Sequence, residues 1–95
     1  MSVYADRIRS HLMTALSPIR LDVVDESSRH IGHAGAHPGG ETHFRITVVS
    51  SIFSGLPRLE RERMIQRLLA AEIAERVHAL SVRALTPEEQ ARCDV

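Results

Sequence analysis

The 95-residue sequence has little of what several classes of protein require. It contains a single cysteine, Cys93, so it can form no internal disulfide and has no CxxC pair for a thiol-rich metal site. Tryptophan is absent, and one tyrosine and two phenylalanines provide no aromatic platform on which bases could stack. Lysine and asparagine are absent too, so all 12 basic residues are arginine, which we interpret as codon bias.

An excess of charge of either sign is also missing, because 12 basic residues balance 12 acidic ones. This balance argues against a broad electrostatic surface for nucleic acid or for an anionic membrane. No apolar run approaches the roughly 20 residues that a membrane span needs, and residues 1–13 lack the apolar centre of a secretory signal. Together with the lone cysteine, these absences predict a protein of the reducing cytoplasm.

The length indicates a single domain that spans residues 1–95. A domain of this size would bury only about 60–65% of the surface of the unfolded chain. A deep catalytic pocket is hard to build in a domain of this size. The sequence also contains no G-x-S-x-G, Walker loop or HExxH motif. We therefore expect a protein that is not an enzyme.

The hydrophobic pattern predicts the element order α-β-β-α-β-α. Helices are expected near 3–16 and 59–77, strands near 19–25, 42–50 and 79–84, and a final short helix that begins at Thr86-Pro87. The long helix would connect the second and third strands as a crossover, which should be right-handed if those strands are parallel. The predicted fold class is α+β, with helices packed on one face of the sheet.

The pattern also predicts which side chains are buried. The second strand alternates clearly, with Phe44, Ile46 and Val48 facing the core. The predicted core consists of Leu12, Leu21, Val23, Phe44, Ile46, Val48, Ile65, Leu68, Leu69 and Leu80. On the long helix, the expected buried stripe is Ile65, Leu68, Leu69, Ile73 and Val77, and the expected solvated residues are Arg61, Glu62, Gln66, Arg67, Glu75 and Arg76.

Histidine is the residue that composition does not explain, since four of six lie within fourteen positions: His30, His33, His37 and His43. Three of these lie in the glycine-rich stretch 27–40, which we predict to be a loop whose residues 28–40 stay mobile until a metal orders them. His43 begins the second strand and is assigned a supporting or surface role. His78 follows the long helix, and its spacing alone favours a half-buried, hydrogen-bonded histidine.

Several segments, in this order, resemble the BolA family over nearly the whole chain: LSP (16–18), DESSRH (25–30), GETHF (40–44), VVSSIFSG (48–55), Glu72, VHAL (77–80) and TPE (86–88). The resemblance implies a K-homology-like (type II) fold with a three-stranded mixed sheet. It also implies two roles that are associated with the family. One is partnership with a monothiol glutaredoxin through a shared [2Fe-2S] cluster, and the other is DNA-binding regulation of transcription under stress.

In the cluster role, the resemblance implies that His78 of VHAL is a metal ligand and that a loop histidine is the second. His30 matches the family position, while His33 and His37 remain alternatives. The glutaredoxin would supply a cysteine and glutathione the fourth ligand, so no cofactor is expected in the isolated protein. Imidazole can replace cysteine on one iron of such a cluster, which makes the histidine set chemically suitable.

In the DNA-binding role, the candidate residues are Arg58, Arg61, Arg63 and Arg67, at the start of the long helix, together with the third strand. The family commonly has Arg-His-Arg where this chain has Arg61-Glu62-Arg63, and an anionic Glu62 weakens a phosphate-facing surface. A third possibility is a zinc site built from the loop histidines alone. Ordering so glycine-rich a loop would cost much conformational entropy, so this possibility ranks last.

Overall fold

The computed structural model describes residues 3–26 and 42–93. The elements are α1 (Val3–Leu16), β1 (Arg20–Asp25), β2 (His43–Val49), a 3-10 turn (Ser51–Phe53), α2 (Arg58–Leu68), α3 (Ala70–Glu75), β3 (Ala79–Leu85) and α4 (Pro87–Cys93). Within these residues, no helix is long and apolar enough to cross a membrane.

The strands form one sheet in the order β1-β2-β3. β1 pairs with β2 in the antiparallel direction, with Val23 opposite Ile46. β2 pairs with β3 in parallel, with Ile46 opposite Val82. One antiparallel and one parallel pairing confirm the predicted mixed three-stranded sheet and the α+β class. The helical connection between β2 and β3 allows the chain to return in the same direction.

The core lies between one face of this sheet and the helices. Phe44, Ile46 and Val48 are buried, as the alternation of β2 predicts. Seven of the ten predicted core residues are buried: Leu12, Val23, Phe44, Ile46, Val48, Ile65 and Leu69. The other three, Leu21, Leu68 and Leu80, are partly buried and pack against the same cluster. The phase of each strand was thus correctly read from the sequence.

The prediction of one continuous helix over 59–77 is wrong, because the helical segment is divided at Leu69. This residue has φ −105° and ψ 18°, outside the ordinary helical range, and α3 beyond it ends at Glu75. The buried residues beyond this point also differ from the predicted stripe. Ile73, predicted to be buried, is 38% exposed, while Glu72 is fully buried.

The prediction that Arg61 is solvated is also wrong. Its guanidinium lies inside the junction of α2, β3 and α4, where Nε donates to the carbonyl oxygen of Leu56 at 2.8 Å and Nη1 to that of Ala84 at 3.0 Å. Nη1 also contacts Glu89 Oε1 at 2.6 Å. These three acceptors offset the cost of burying the charge, so Arg61 joins elements and does not face solvent.

The predicted start of the last helix is confirmed by reciprocal capping bonds. The backbone N–H of Thr86 donates to Glu89 Oε1 at 2.8 Å, and the N–H of Glu89 donates to Thr86 Oγ1 at 3.3 Å. Glu89 therefore accepts hydrogen bonds both from the cap of α4 and from Arg61. This shared carboxylate fixes α4 against the end of β3.

Candidate functional site

His78 lies between α3 and the first residue of β3 and is exposed, so the half-buried histidine that its spacing alone predicts is not observed. Its backbone N–H donates to the carbonyl oxygen of Thr42 at 2.8 Å. The preceding residue, Val77, is only 2% exposed and anchors the turn in the core. The backbone of His78 is therefore fixed by the sheet, while its imidazole is presented at the surface.

His43 is brought next to His78 by the parallel register, in which His43 pairs with Ala79. The centroids of the two imidazole rings are 6.4 Å apart and the rings are inclined by 40°. His43 Nδ1 lies 2.8 Å from the hydroxyl oxygen of Thr42, a buried residue. The sequence predicts only a supporting or surface role for His43. The two histidines are 35 positions apart, and only the pairing of β2 with β3 brings their rings together.

The two residues that flank segment 27–41 both bond to this corner of the sheet. The backbone N–H of Glu26 donates to the carbonyl oxygen of His43 at 2.7 Å. At the other end, the carbonyl oxygen of Thr42 accepts from His78 at 2.8 Å and from Ala79 at 3.2 Å. The segment thus leaves and rejoins the described fold beside the pair formed by His43 and His78.

The predicted loop ligands His30, His33 and His37 lie outside the described residues, as does the predicted mobility of 28–40. Of the two ligands that the resemblance implies, only His78 is therefore placed by the structure. Across residues 3–26 and 42–93, no three His, Cys, Asp or Glu side chains are grouped so that they could hold a metal ion.

A shallow pocket of about 210 Å³ adjoins His78, and its other lining residues are Gln66, Ile73, Val77, Ala79 and Leu80. The exposed part of Ile73 therefore lies on the surface that surrounds the imidazole. An exposed imidazole can coordinate a metal that a second molecule also holds, and the apolar rim can be covered by that molecule. This arrangement suits a site completed by a partner.

The arginines of the alternative DNA-binding surface do not act alike. Arg58, Arg63 and Arg67 are exposed, whereas Arg61 is buried and bonded to Glu89. Arg63 forms a surface ion pair with Glu60 at 2.9 Å. Arg58 lines a second pocket of about 190 Å³ with Glu62, Arg83, Val82, Ala84 and Leu85. The acidic Glu62 thus lies within the arginine-lined part of this surface.

These observations define a class of protein, namely a small α+β domain with a mixed sheet and a surface histidine directly before its last strand. A sequence model described as "BolA-like protein" matches residues 12–89. The chain belongs to the BolA family.

Among its relatives, "BolA-like protein 1" of Homo sapiens is 49% identical over 82 residues, which are 86% of this chain and 57% of that protein. "DNA-binding transcriptional regulator BolA" of Escherichia coli (strain K12) is 43% identical over 84 residues, 88% of this chain and 76% of that protein. The chain therefore spans little more than half the length of its BolA-like protein 1 relatives.

The fold is similar to that of solved structures. The BolA domain of SufE1 from Arabidopsis thaliana superposes with a TM-score of 0.85 at 40% identity, covering 94% of this chain and 98% of that one. The α+β architecture with a three-stranded mixed sheet is thus shared with this relative.

Proposed function

We propose that this protein is a non-catalytic adaptor in iron–sulfur cluster trafficking or iron sensing, which shares a [2Fe-2S] cluster with a monothiol glutaredoxin. His78 is the proposed ligand on this chain. The observation that carries the proposal is the exposed His78, whose backbone N–H donates to the Thr42 carbonyl oxygen at the corner where segment 27–41 leaves and rejoins the fold. Membership of the BolA family supports the same conclusion.

The chemistry of the available donors fits a shared cluster better than a complete internal one. Iron–sulfur clusters usually take four thiolates, but two imidazoles can replace two cysteines on one iron. The described residues offer His78 and His43 at this corner and no third metal-binding side chain grouped with them. In the proposal, the glutaredoxin cysteine and glutathione supply the thiolates that complete the cluster.

The second ligand on this chain is proposed to be a loop histidine, and chain length supports this choice. His30 is four residues from Glu26, so an extended chain keeps its Cα within about 14 Å of this anchor. His37 is five residues from Thr42, within about 18 Å of the other anchor. His30 is the preferred ligand, and His33 and His37 are alternatives. His43 is an additional candidate, because its ring already lies beside that of His78.

The proposal is tested by anaerobic reconstitution of the chain with a monothiol glutaredoxin, glutathione, iron and sulfide, followed by visible absorption and circular dichroism. A heterodimer should form with a spectrum distinct from that of the glutaredoxin homodimer, because imidazole replaces thiolate. His78→Ala should abolish this spectrum without unfolding the chain, since the side chain is exposed. The variants His30→Ala, His33→Ala, His37→Ala and His43→Ala, measured separately, identify the second ligand by which of them loses the heterodimer spectrum.

A matched control for this experiment is Gln66→Ala, which truncates another side chain of the same pocket but removes no metal-binding ring. It should keep the heterodimer spectrum. If His78→Ala keeps the spectrum as well, His78 is not a ligand and the proposal fails.

A second candidate function, DNA binding, is favoured by the similarity to the Escherichia coli regulator. Arg61 no longer belongs to this surface, because its guanidinium is bonded to Glu89 and to two backbone carbonyls. Arg58, Arg63 and Arg67 remain. If they contact phosphates, affinity for duplex DNA should fall steeply with salt, and each arginine replaced by alanine should reduce the salt slope by about one unit. Absence of such binding rejects this function.

A further inference from the structure

Glu72 is a fully buried carboxylate in α3, and its side chain is only 1% exposed. Its Oε2 lies 2.6 Å from Nη2 of Arg7 in α1. Its Oε1 has no hydrogen-bond partner in the part of the chain that the structure describes, and His11 Nε2 of α1 lies 3.4 Å away. Burying a charge is costly unless it is paired, so Arg7 is the contact that allows Glu72 to occupy this position.

Glu72 is also bonded through its backbone to the turn that carries His78. The carbonyl oxygen of Glu72 accepts from the N–H of Arg76 at 3.0 Å and from that of Val77 at 2.9 Å. His78 follows directly and donates its own N–H to Thr42. One residue thus connects α1, by its side chain, to the turn before β3, by its backbone.

The rest of α3 contributes little to holding this segment in place. The helix has six residues, begins after the irregular Leu69 and has no side-chain hydrogen bond at its N-cap. Its residue Ile73 is 38% exposed, and among the residues of α3 only Glu72 is buried. A segment with few buried apolar contacts is the kind that opens locally while the remaining fold stays intact.

We propose that the contact of Glu72 with Arg7 is a clamp that holds α3 closed and thereby positions the turn that presents His78. Glu72 is a positioning residue in this proposal, and its purpose at the cluster rests on the proposed function above. The clamp itself is a property of the isolated chain. When it is broken, α3 and the turn at residues 76–79 should open together, while β2 remains protected by its two neighbouring strands.

The test is amide hydrogen exchange of the isolated full chain, without partner or metal, measured by NMR. In Glu72→Ala, the amides of Arg76 and Val77 should exchange roughly tenfold faster or more, because the bond from a charged donor to the buried carboxylate is lost. The amides of Ile46 and Val48 in β2 should change much less. If Glu72→Ala does not fold, Arg7→Gln breaks the same contact and is measured in its place.

The matched control is Glu75→Ala. Arg7 Nη2 also lies 2.6 Å from Glu75 Oε2, but the side chain of Glu75 is 50% exposed, so this contact should contribute little. The exchange pattern of Glu75→Ala should match that of the unmodified chain. Equal acceleration at all amides in Glu72→Ala would mean a purely structural role, and no acceleration would mean no clamp. Either result overturns the inference.

This measurement also separates the clamp from the cluster. The reconstitution could fail with the unmodified chain while exchange at residues 76 and 77 is still accelerated in Glu72→Ala. This outcome would reject the proposed function and retain the clamp. Conversely, a cluster that depends on His78 together with an unchanged exchange pattern would retain the function and reject the clamp.

Discussion

The guanidinium of Arg61 lies 2.6 Å from the carboxylate of Glu89, a residue 28 positions further along the chain. This hydrogen bond, followed by the backbone hydrogen bond from Thr86, lowers the pKa of Glu89 from 4.5 to about 2. One contact therefore joins the start of α2 to the start of α4 and makes the stability of the fold sensitive to acid.

The first prediction concerns that sensitivity. Because the pKa of Glu89 is lower in the folded chain than in the unfolded chain, its ionised form stabilises the fold above about pH 4.5. This contribution should be lost as the pH falls from 4.5 towards 2. Urea unfolding midpoints measured across this range should show a smaller acid-side decrease for Glu89→Gln than for the unmodified chain. Glu88→Gln, which removes an exposed carboxylate from the same helix, should retain the full decrease.

The second prediction compares two arginines that are two positions apart. Arg61→Ala should lower the free energy of unfolding by about 2–3 kcal/mol, because Glu89 loses its charged partner and the carbonyls of Leu56 and Ala84 lose a charged donor. Arg63→Ala should cost no more than about 0.5 kcal/mol, since it removes only a surface pair with Glu60. Chemical denaturation of both variants provides the measurement, and equal costs would contradict the burial of Arg61.

The third prediction concerns the strand phase. Phe44 is 2% exposed at the centre of the core, so Phe44→Ala should cost about 3–5 kcal/mol. Val24, on the opposite face of the neighbouring strand, is 49% exposed, and Val24→Ala should cost about 0.5 kcal/mol. Thermal and urea unfolding report both values, and a small cost for Phe44→Ala would mean that β2 faces the other way.

The fourth prediction concerns Gly55, which has a φ of +80° between the 3-10 turn and α2. A Cβ atom built at this position meets no heavy atom within 4 Å, so steric crowding would not oppose alanine. The left-handed backbone alone should make Gly55→Ala destabilising, by about 1–2 kcal/mol. Gly55→Asn should cost less, because asparagine tolerates this conformation better, and the difference between the two unfolding midpoints checks the explanation.

The parts of the fold that sequence predicted correctly are those set by short-range alternation. Phe44, Ile46 and Val48 face the core because a strand exposes alternate side chains to opposite faces. The division of the helix at Leu69 was not predictable in this way, since apolar residues continue at helical spacing on both sides of it. Only the backbone angles of Leu69 reveal the break.

The errors at the candidate sites share one physical cause, which is pairing between distant residues. A charged residue near the start of a helix is normally solvated, and Arg61 is buried only because Glu89, from another helix, meets it. Glu72 is buried for the same kind of reason, through Arg7 of α1. The nearness of His43 and His78 likewise follows from the parallel register of β2 and β3. The family resemblance predicts His78 as a ligand without using this information.

The place of β3 in the sheet has a consequence for synthesis of the chain. β1 and β2 can pair as soon as residues up to 49 have left the ribosome, but the other edge of β2 gains its partner only when residues 79–85 emerge. Until then, a nascent chain presents an unpaired strand edge beside Phe44, Ile46 and Val48, the kind of surface that attracts other unfolded chains. The emergence of residues 79–85 therefore determines whether this strand edge is closed by the chain itself or by a neighbour.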